Sequence, residues 1–205
     1  MPESDATPRS EGYASGRATK ESIVRSAAEA FAQRGFHGTS VRSIAREAGV
    51  DHSTLIHHFG NKTALLLAVI EWHDAQAMPA ELPEEITAQF IADGIVKTAE
   101  INLSSPGLVQ LLNVLNAEAG AADHPAREAL QHRHDLLGAL IAWTIRRQRT
   151  ELGIDTDPLS PEDRAAMIIA TWDGMQLYDG LHPGTLDIPG ALRAMLHEAF
   201  GLPPA

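Results

Sequence analysis

Between Asp51 and Lys62 the chain gathers side chains able to hydrogen-bond to a base edge or an anion: Asp51, His52, Ser53, Thr54, His57, His58 and Lys62, with Arg42 a little upstream. Leu55 and Phe59 lie four apart among them, so on a helix these two share an inward face and the polar groups look outward. Hydroxyl and imidazole groups on the first turn of such a helix, with the Arg42 guanidinium upstream, suit the major groove, where each base pair shows a distinct donor and acceptor pattern. Phosphate is the other natural partner, because neighbouring donors fix register on a duplex. Metal binding is the competing chemistry for His52, His57 and His58. Adjacent helical residues point about 100° apart, so His57 and His58 are not expected to share an ion. The same geometry separates His132 from His134, and no metal is expected there.

Stepping outward to the elements, apolar spacing is helical throughout. Ile23, Ala27 and Phe31 form one stripe that ends at Gly35; Val41, Ile44, Ala45 and Ala48 form a second, with Thr39 or Ser40 as the capping residue and Gly49 as terminator. Gly49, Val50 and Asp51 separate that helix from the one carrying Leu55 and Phe59, which closes at Gly60; this is the sequence form of a helix-turn-helix. Further helix starts are expected at Asn61, at Pro83 with Glu84 and Glu85, at Ser105 with Pro106, at His124 with Pro125, and at Ser160 with Pro161, Glu162 and Asp163. The long helix from Pro125 should end near Gly153, and a last one should run from about Ile188 to Phe200. No strand alternation is visible. The expected fold is all-α, with about nine helices.

Composition narrows the chemistry. The 205 residues include no cysteine, which removes disulfide frameworks, thiolate metal sites and thiol nucleophiles. No Glu is followed by His at the spacing a helical di-iron centre uses, and no glycine-rich phosphate loop or nucleophile elbow is present. Neither catalysis nor a cofactor is expected. The net charge of −11 argues at first against nucleic acid. Divided after residue 62 it becomes +1 for the first part and −12 for the rest. An acidic body with a near-neutral head bearing Arg and His would repel phosphate everywhere except at the head. Residues 1–17 are polar and rich in Ser, Gly and Pro, and are expected to form a disordered tail. They contain no apolar run of the kind a signal peptide needs, and no stretch of the chain has the ~20 apolar residues of a membrane span. A cytoplasmic location and no membrane partner are therefore expected.

The run Gly35-Phe36-His37-Gly38-Thr39-Ser40-Val41-Arg42-Ser43-Ile44-Ala45-Arg46-Glu47-Ala48-Gly49-Val50, followed by Thr54-Leu55-Ile56-His57-His58-Phe59-Gly60-Asn61-Lys62, resembles the DNA-binding domain of the TetR family of bacterial transcriptional regulators. The resemblance spans roughly residues 18–70. It implies a homodimeric regulator, usually a repressor, that binds a palindromic double-stranded operator and is controlled by a small-molecule effector held in the larger C-terminal part. Domains at 18–62 for DNA binding and 63–205 for effector binding and dimerisation follow from it. Carried over position by position, Arg42, His52, Ser53 and Thr54 would read bases, while His57, His58 and Lys62 would hold phosphate, Lys62 together with its helix N-terminus. Ile56 stands where the family usually has Tyr, which removes one phosphate-contacting hydroxyl.

In the second part, Asn113 and Asn116 interrupt an apolar surface made by Leu111, Leu112, Val114 and Leu115, and lie on one helix face. Amides in apolar surroundings need partners, and an effector is one; a neighbouring backbone group is the other. His134, Trp143, Trp72, Phe90, Trp172 and Met175 complete the candidate effector set. Ile168, Trp172, Met175 and Gln176, with Leu192, Met195, Leu196 and Ala199 on the last helix, are the candidate dimer surface, forming a four-helix bundle between two copies. Arg34, Arg46 and Glu47 read as solvated helix charges, and Arg146, Arg147 and Arg149 as a basic helix end. A helical adaptor that no longer binds DNA is the alternative function.

Overall fold

The computed structural model describes residues 9–124, 126–153 and 158–204, with side chains from Gly16 onward. Every regular element among them is an α-helix: α1 (Arg9–Arg34), α2 (Val41–Glu47), α3 (His52–Phe59), α4 (Lys62–Ala75), α5 (Ala88–Leu103), α6 (Pro106–Glu118), α7 (Arg127–Leu152), α8 (Pro161–Leu181) and α9 (Ile188–Phe200). The all-α expectation holds. The chain forms two compact units, Met1–Trp72 and His73–Ala205.

In the first unit, α1 buries Ile23, Val24, Ala27, Ala30 and Phe31. Ile44 and Ala45 from α2, Leu55 and Phe59 from α3, and Leu65, Leu66 and Val69 from α4 supply the rest of its core. Helix α1 begins at Arg9, so residues 9–17 are helical where a tail was expected; residues 1–8 lie outside the described residues. No proline interrupts 9–17, and once a buried segment has nucleated a helix, each added residue gains a hydrogen bond for little further cost. The cap of α2 is Ser40: its hydroxyl accepts from the Ser43 N–H at 3.0 Å, and Ser43 Oγ accepts from the Ser40 N–H at 3.2 Å. Thr39 does something else. Its hydroxyl is buried and shared between the Ala30 and Gly35 carbonyls, at 3.2 and 2.8 Å, which pins the chain entering α2 against the end of α1. A Cβ at Gly38 would sit 2.2 Å from the Arg34 carbonyl oxygen, so this crossing requires glycine. Gly49 turns the chain between α2 and α3 at φ +69°, a left-handed conformation that side-chain-bearing residues resist.

The second unit packs around a core drawn from α5, α7, α8 and α9, including Ile91, Ile95, Ile141, Ile145, Ile168, Trp172, Leu192, Leu196 and Phe200. Ser160 caps α8 as expected, accepting from the Asp163 N–H at 3.0 Å and donating to its carboxylate at 2.7 Å. Gly153 and Gly201 end α7 and α9 in the left-handed conformation. One expected start was wrong. The Pro83-Glu84-Glu85 stretch is not helical; α5 opens after Thr87, whose hydroxyl accepts from the Phe90 N–H at 3.1 Å. Leu82 cannot cap a helix beginning at Pro83, whereas Thr87 can cap the later one. Pro125 lies outside the described residues, and α7 begins just after it, at Arg127. The basic cluster near the end of α7 is not merely solvated: Arg146 pairs with Glu162, Arg147 with Glu151 and Glu85, and Arg149 donates to the Leu159 carbonyl at 3.0 Å. These guanidiniums fasten α7 to the first turn of α8 and to the approach to α5.

The dimer candidates need correction. Ile168, Trp172, Leu192 and Leu196 are buried in the chain's own core, Gln176 is buried too, and Met175, Met195 and Ala199 pack against that core. The apolar faces of α8 and α9 that were expected to meet a second copy instead join α5 and α7 in one core, α8 against α7 and α9 against α5.

Candidate nucleic-acid interface and effector pocket

Helix α3 is held by Leu55 and Phe59, and this inward anchoring sets the direction of its other side chains. Asp51, His52, Ser53 and His57 are exposed, and Thr54 and His58 are half-buried. Asp51 precedes the helix without capping it through its side chain, so its carboxylate stays at the outer surface. Arg42 is exposed on α2. Nothing among the described residues hydrogen-bonds to the side chains of Arg42, His52, Ser53 or Thr54. Their donors and acceptors are free for an external partner. By contrast, Arg34 and Glu47 form a two-toothed ion pair, both contacts at 2.9 Å, that ties α1 to α2; they are structural cross-links rather than loose surface charges.

Lys62 is differently placed from the expected phosphate clamp. The side chain of Asn61 caps α4, accepting from the Ala64 N–H at 2.9 Å, while Lys62 Nζ rests 4.2 Å from the centre of the Phe36 ring. Partial burial lowers the pKa of this ammonium group. The ring holds the cation, although Lys62 is the first residue of α4. His57 and His58 lie edge to face with ring centres 5.7 Å apart, and Ile56 is half-buried between the inward and outward faces.

In the second unit, Asn113 and Asn116 line one groove of about 650 Å³ between α6 and α8, together with Val114, Asp173, Leu177 and Leu181. Neither amide is bonded to a neighbouring backbone, and Asn116 Oδ1 is buried without a partner. A cavity of about 30 Å³ adjoins this groove, since Gln110, Gln176 and Gly180 line both. Trp172 lines the cavity, and its buried Nε1 likewise has no partner. Asn102 Nδ2 donates to Gln176 Oε1 at 2.6 Å across the cavity wall. Sequence reasoning missed Asn102, Gln110 and Asp173 as lining residues, although an Asn facing an otherwise apolar helix stripe in α5 is the signal it used for Asn116.

The remaining effector candidates do not converge on this groove. Trp72 belongs to the first unit, Phe90 and Met175 pack on the core, and Trp143 is exposed beneath the Arg147 guanidinium at 5.6 Å. His134 lines a second groove, between α7 and α8, which Asp173 also borders. His134 Nε2 is 3.8 Å from Asp173 Oδ2. Burial pushes the Asp173 carboxyl upward, against the opposing pull of His134 and Arg133. Arg133 itself holds Asp74, at the end of α4, through contacts of 2.6 and 3.0 Å.

Residues 23–69 match the family model for bacterial regulatory proteins of the tetR family. Over 178 residues the chain is 43% identical to the HTH-type transcriptional regulator RutR of Escherichia coli O157:H7, covering 85% of this chain and 80% of that protein. The chain belongs to the TetR family. It is a DNA-binding transcriptional regulator, and its relatives are regulators rather than enzymes. UidR of Escherichia coli K12, another HTH-type regulator, is 28% identical over 140 residues, which is 67% of this chain and 70% of UidR. Similarity of fold reaches beyond residues 23–69: the crystal structure of the transcriptional regulator FadR from Bacillus subtilis in complex with stearoyl-CoA superposes with a TM-score of 0.63 at 19% identity, over 88% of this chain and 97% of that one. No helix among the described residues is long and apolar enough to cross a membrane.

Proposed function

We propose that this TetR-family chain is a homodimeric repressor that binds a palindromic operator through α2 and α3 and releases it when a small molecule enters the α6–α8 groove. The observation that carries the reading is the group of exposed, unbonded side chains Arg42, His52, Ser53 and Thr54 on a helix-turn-helix whose inward residues are locked. Base edges in a major groove would satisfy these groups, with His57, His58 and Lys62 on flanking phosphates and Asp51 excluding them at the outer edge. Asn113 and Asn116 belong to the effector contacts, with Trp172 behind them.

The dimer contact in this reading moves outward from the buried stripe. Met167 is 52% and Tyr178 49% exposed on α8, and Thr171 and Gly174 complete their stripe beside the small residues Ala191 and Ala194 of α9. A second copy on that stripe supplies the twofold axis that paired half-sites about 34–36 Å apart demand. The test is an electrophoretic shift of the DNA upstream of the chain's own gene, with a scrambled duplex as competitor. Retardation that survives the competitor is expected. Retardation that the scrambled duplex abolishes as readily as the specific one would leave a helical adaptor as the better description.

A further inference from the structure

Resting on the reading of the α6–α8 groove as the effector site, we propose that its ligand is an organic cation with an apolar body and an acceptor atom at its far end, and not a carboxylate or a phosphate ester. The charge inventory points this way. Among the described residues, Asp173 is the one charged residue lining the groove, Asp179 is the one lining the adjoining cavity, and neither lining contains Lys, Arg or His. Farther along α8, the second groove adds His134, Asp135, Arg146 and Glu162. Its one guanidinium, on Arg146, is already paired with Glu162.

Unsatisfied atoms set the orientation. Asn116 Oδ1 is a buried acceptor without a donor, so the groove end wants N–H groups. Trp172 is 5% exposed and its Nε1 is a buried donor without an acceptor, so the cavity end wants an oxygen or a nitrogen lone pair. Gln176 Oε1 is already engaged by Asn102, and Asp179 Oδ1 accepts from the Gly184 N–H at 2.9 Å; the contacts of Asp173 are longer, 3.5 Å from Gln176 Nε2 to Oδ1 and 3.8 Å from His134 Nε2 to Oδ2. Val114, Leu177 and Leu181, between 52% and 72% exposed in the free groove, would be covered by the apolar body. A cationic head beside Asp173 also favours the ionised carboxylate, offsetting the burial that pushes this group up. An anionic head there would meet the Asp173 carboxylate directly, because the cationic side chains that oppose it, Arg133 and His134, stand on α7 and not among the groove's lining residues.

Three shape-matched probes separate the classes: para-methoxybenzamidinium, para-methoxybenzamide and para-methoxybenzoate, each added to the full chain at one ionic strength and followed by thermal shift and tryptophan fluorescence. The cation is expected to bind at least about tenfold more tightly than the benzoate, the order that one unscreened charge pair imposes. Asp173→Asn should erase that preference while leaving the fold intact by circular dichroism, and Asn116→Leu should weaken the cation and the amide alike. Equal or tighter binding of the benzoate, or no response to the cation, overturns the proposal. An operator-release assay with the same probes keeps the two readings apart. Cation binding without release would leave the ligand class standing and remove the effector role; release by the benzoate would do the reverse.

Discussion

Arg42 and Lys62 illustrate how differently two cations can stand at one interface. Arg42 is exposed with no partner among the described residues, so its guanidinium keeps its full donor fork for a base edge. Arg42→Ala is expected to cost about 1–3 kcal/mol of operator binding, measured by anisotropy on a set of single-base operator variants. The loss should concentrate at one position; an equal loss on every variant would reduce Arg42 to a phosphate contact. Lys62 must leave the face of Phe36 to reach DNA. If it does, Lys62→Ala lowers the slope of log affinity against log salt by about one unit, and an unchanged slope means that it stays on the ring. The type of each residue was legible in the sequence, since polarity and helical spacing alone place Ser53 opposite Leu55, with His52 and Thr54 on its flanks. Partnership was not: the Lys62–Phe36 and Arg34–Glu47 contacts join residues from different helices, and no local pattern encodes which side chain a long flexible cation will find.

At the scale of elements, the features readable from sequence are those decided within a few residues. Ser160, Gly153, Asn61 and Gly201 mark helix ends because capping is a contest between neighbouring backbone groups and one side chain. Pro83 misled because Glu84 and Glu85 supply a favourable dipole contact without the cap that must precede it. Which face of α8 and α9 turns inward was decided by packing against α7 and α5, and this is why the stripe expected to face a partner lies in the chain's own core. Ion pairing between elements has a measurable consequence at the α4–α7 contact. Burial would raise the pKa of Asp74, but His73 and Arg133 beside it more than offset this and hold it below its ordinary value. Its contribution to stability is therefore complete above the unfolded-state carboxylate value of about 3.9 and drains away as pH falls through the lower folded-state value. Asp74→Asn should cost about 2 kcal/mol at neutral pH, between the ranges for exposed and buried pairs. Thermal melts of the two proteins should converge on acidification below the ordinary carboxylate range. A gap that stays constant down to that range would show that the asparagine perturbs packing rather than charge.

For the molecule as a whole, the division of charge bears on where DNA can approach, and the exposed stripe of α8 is where the proposed second copy would pack. Met167, Thr171, Gly174 and Tyr178 recur at the spacing of one helix face, yet the chain's own core leaves them uncovered. Exposed residues aligned in this way suit close packing against a helix from another copy. Tyr178→Glu places a carboxylate opposite its own symmetry mate in any twofold contact along this stripe, so it acts twice per dimer. Sedimentation equilibrium should show a shift from dimer to monomer, and operator affinity should fall with it, because each monomer retains only one half-site. Leu140→Glu is the matched control, since Leu140 is also exposed at 41% but lies on α7, away from the stripe. It should leave the dimer intact. If Leu140→Glu dissociates the protein and Tyr178→Glu does not, the twofold axis runs along α7, and the effector groove between α6 and α8 lies outside the contact rather than along its border.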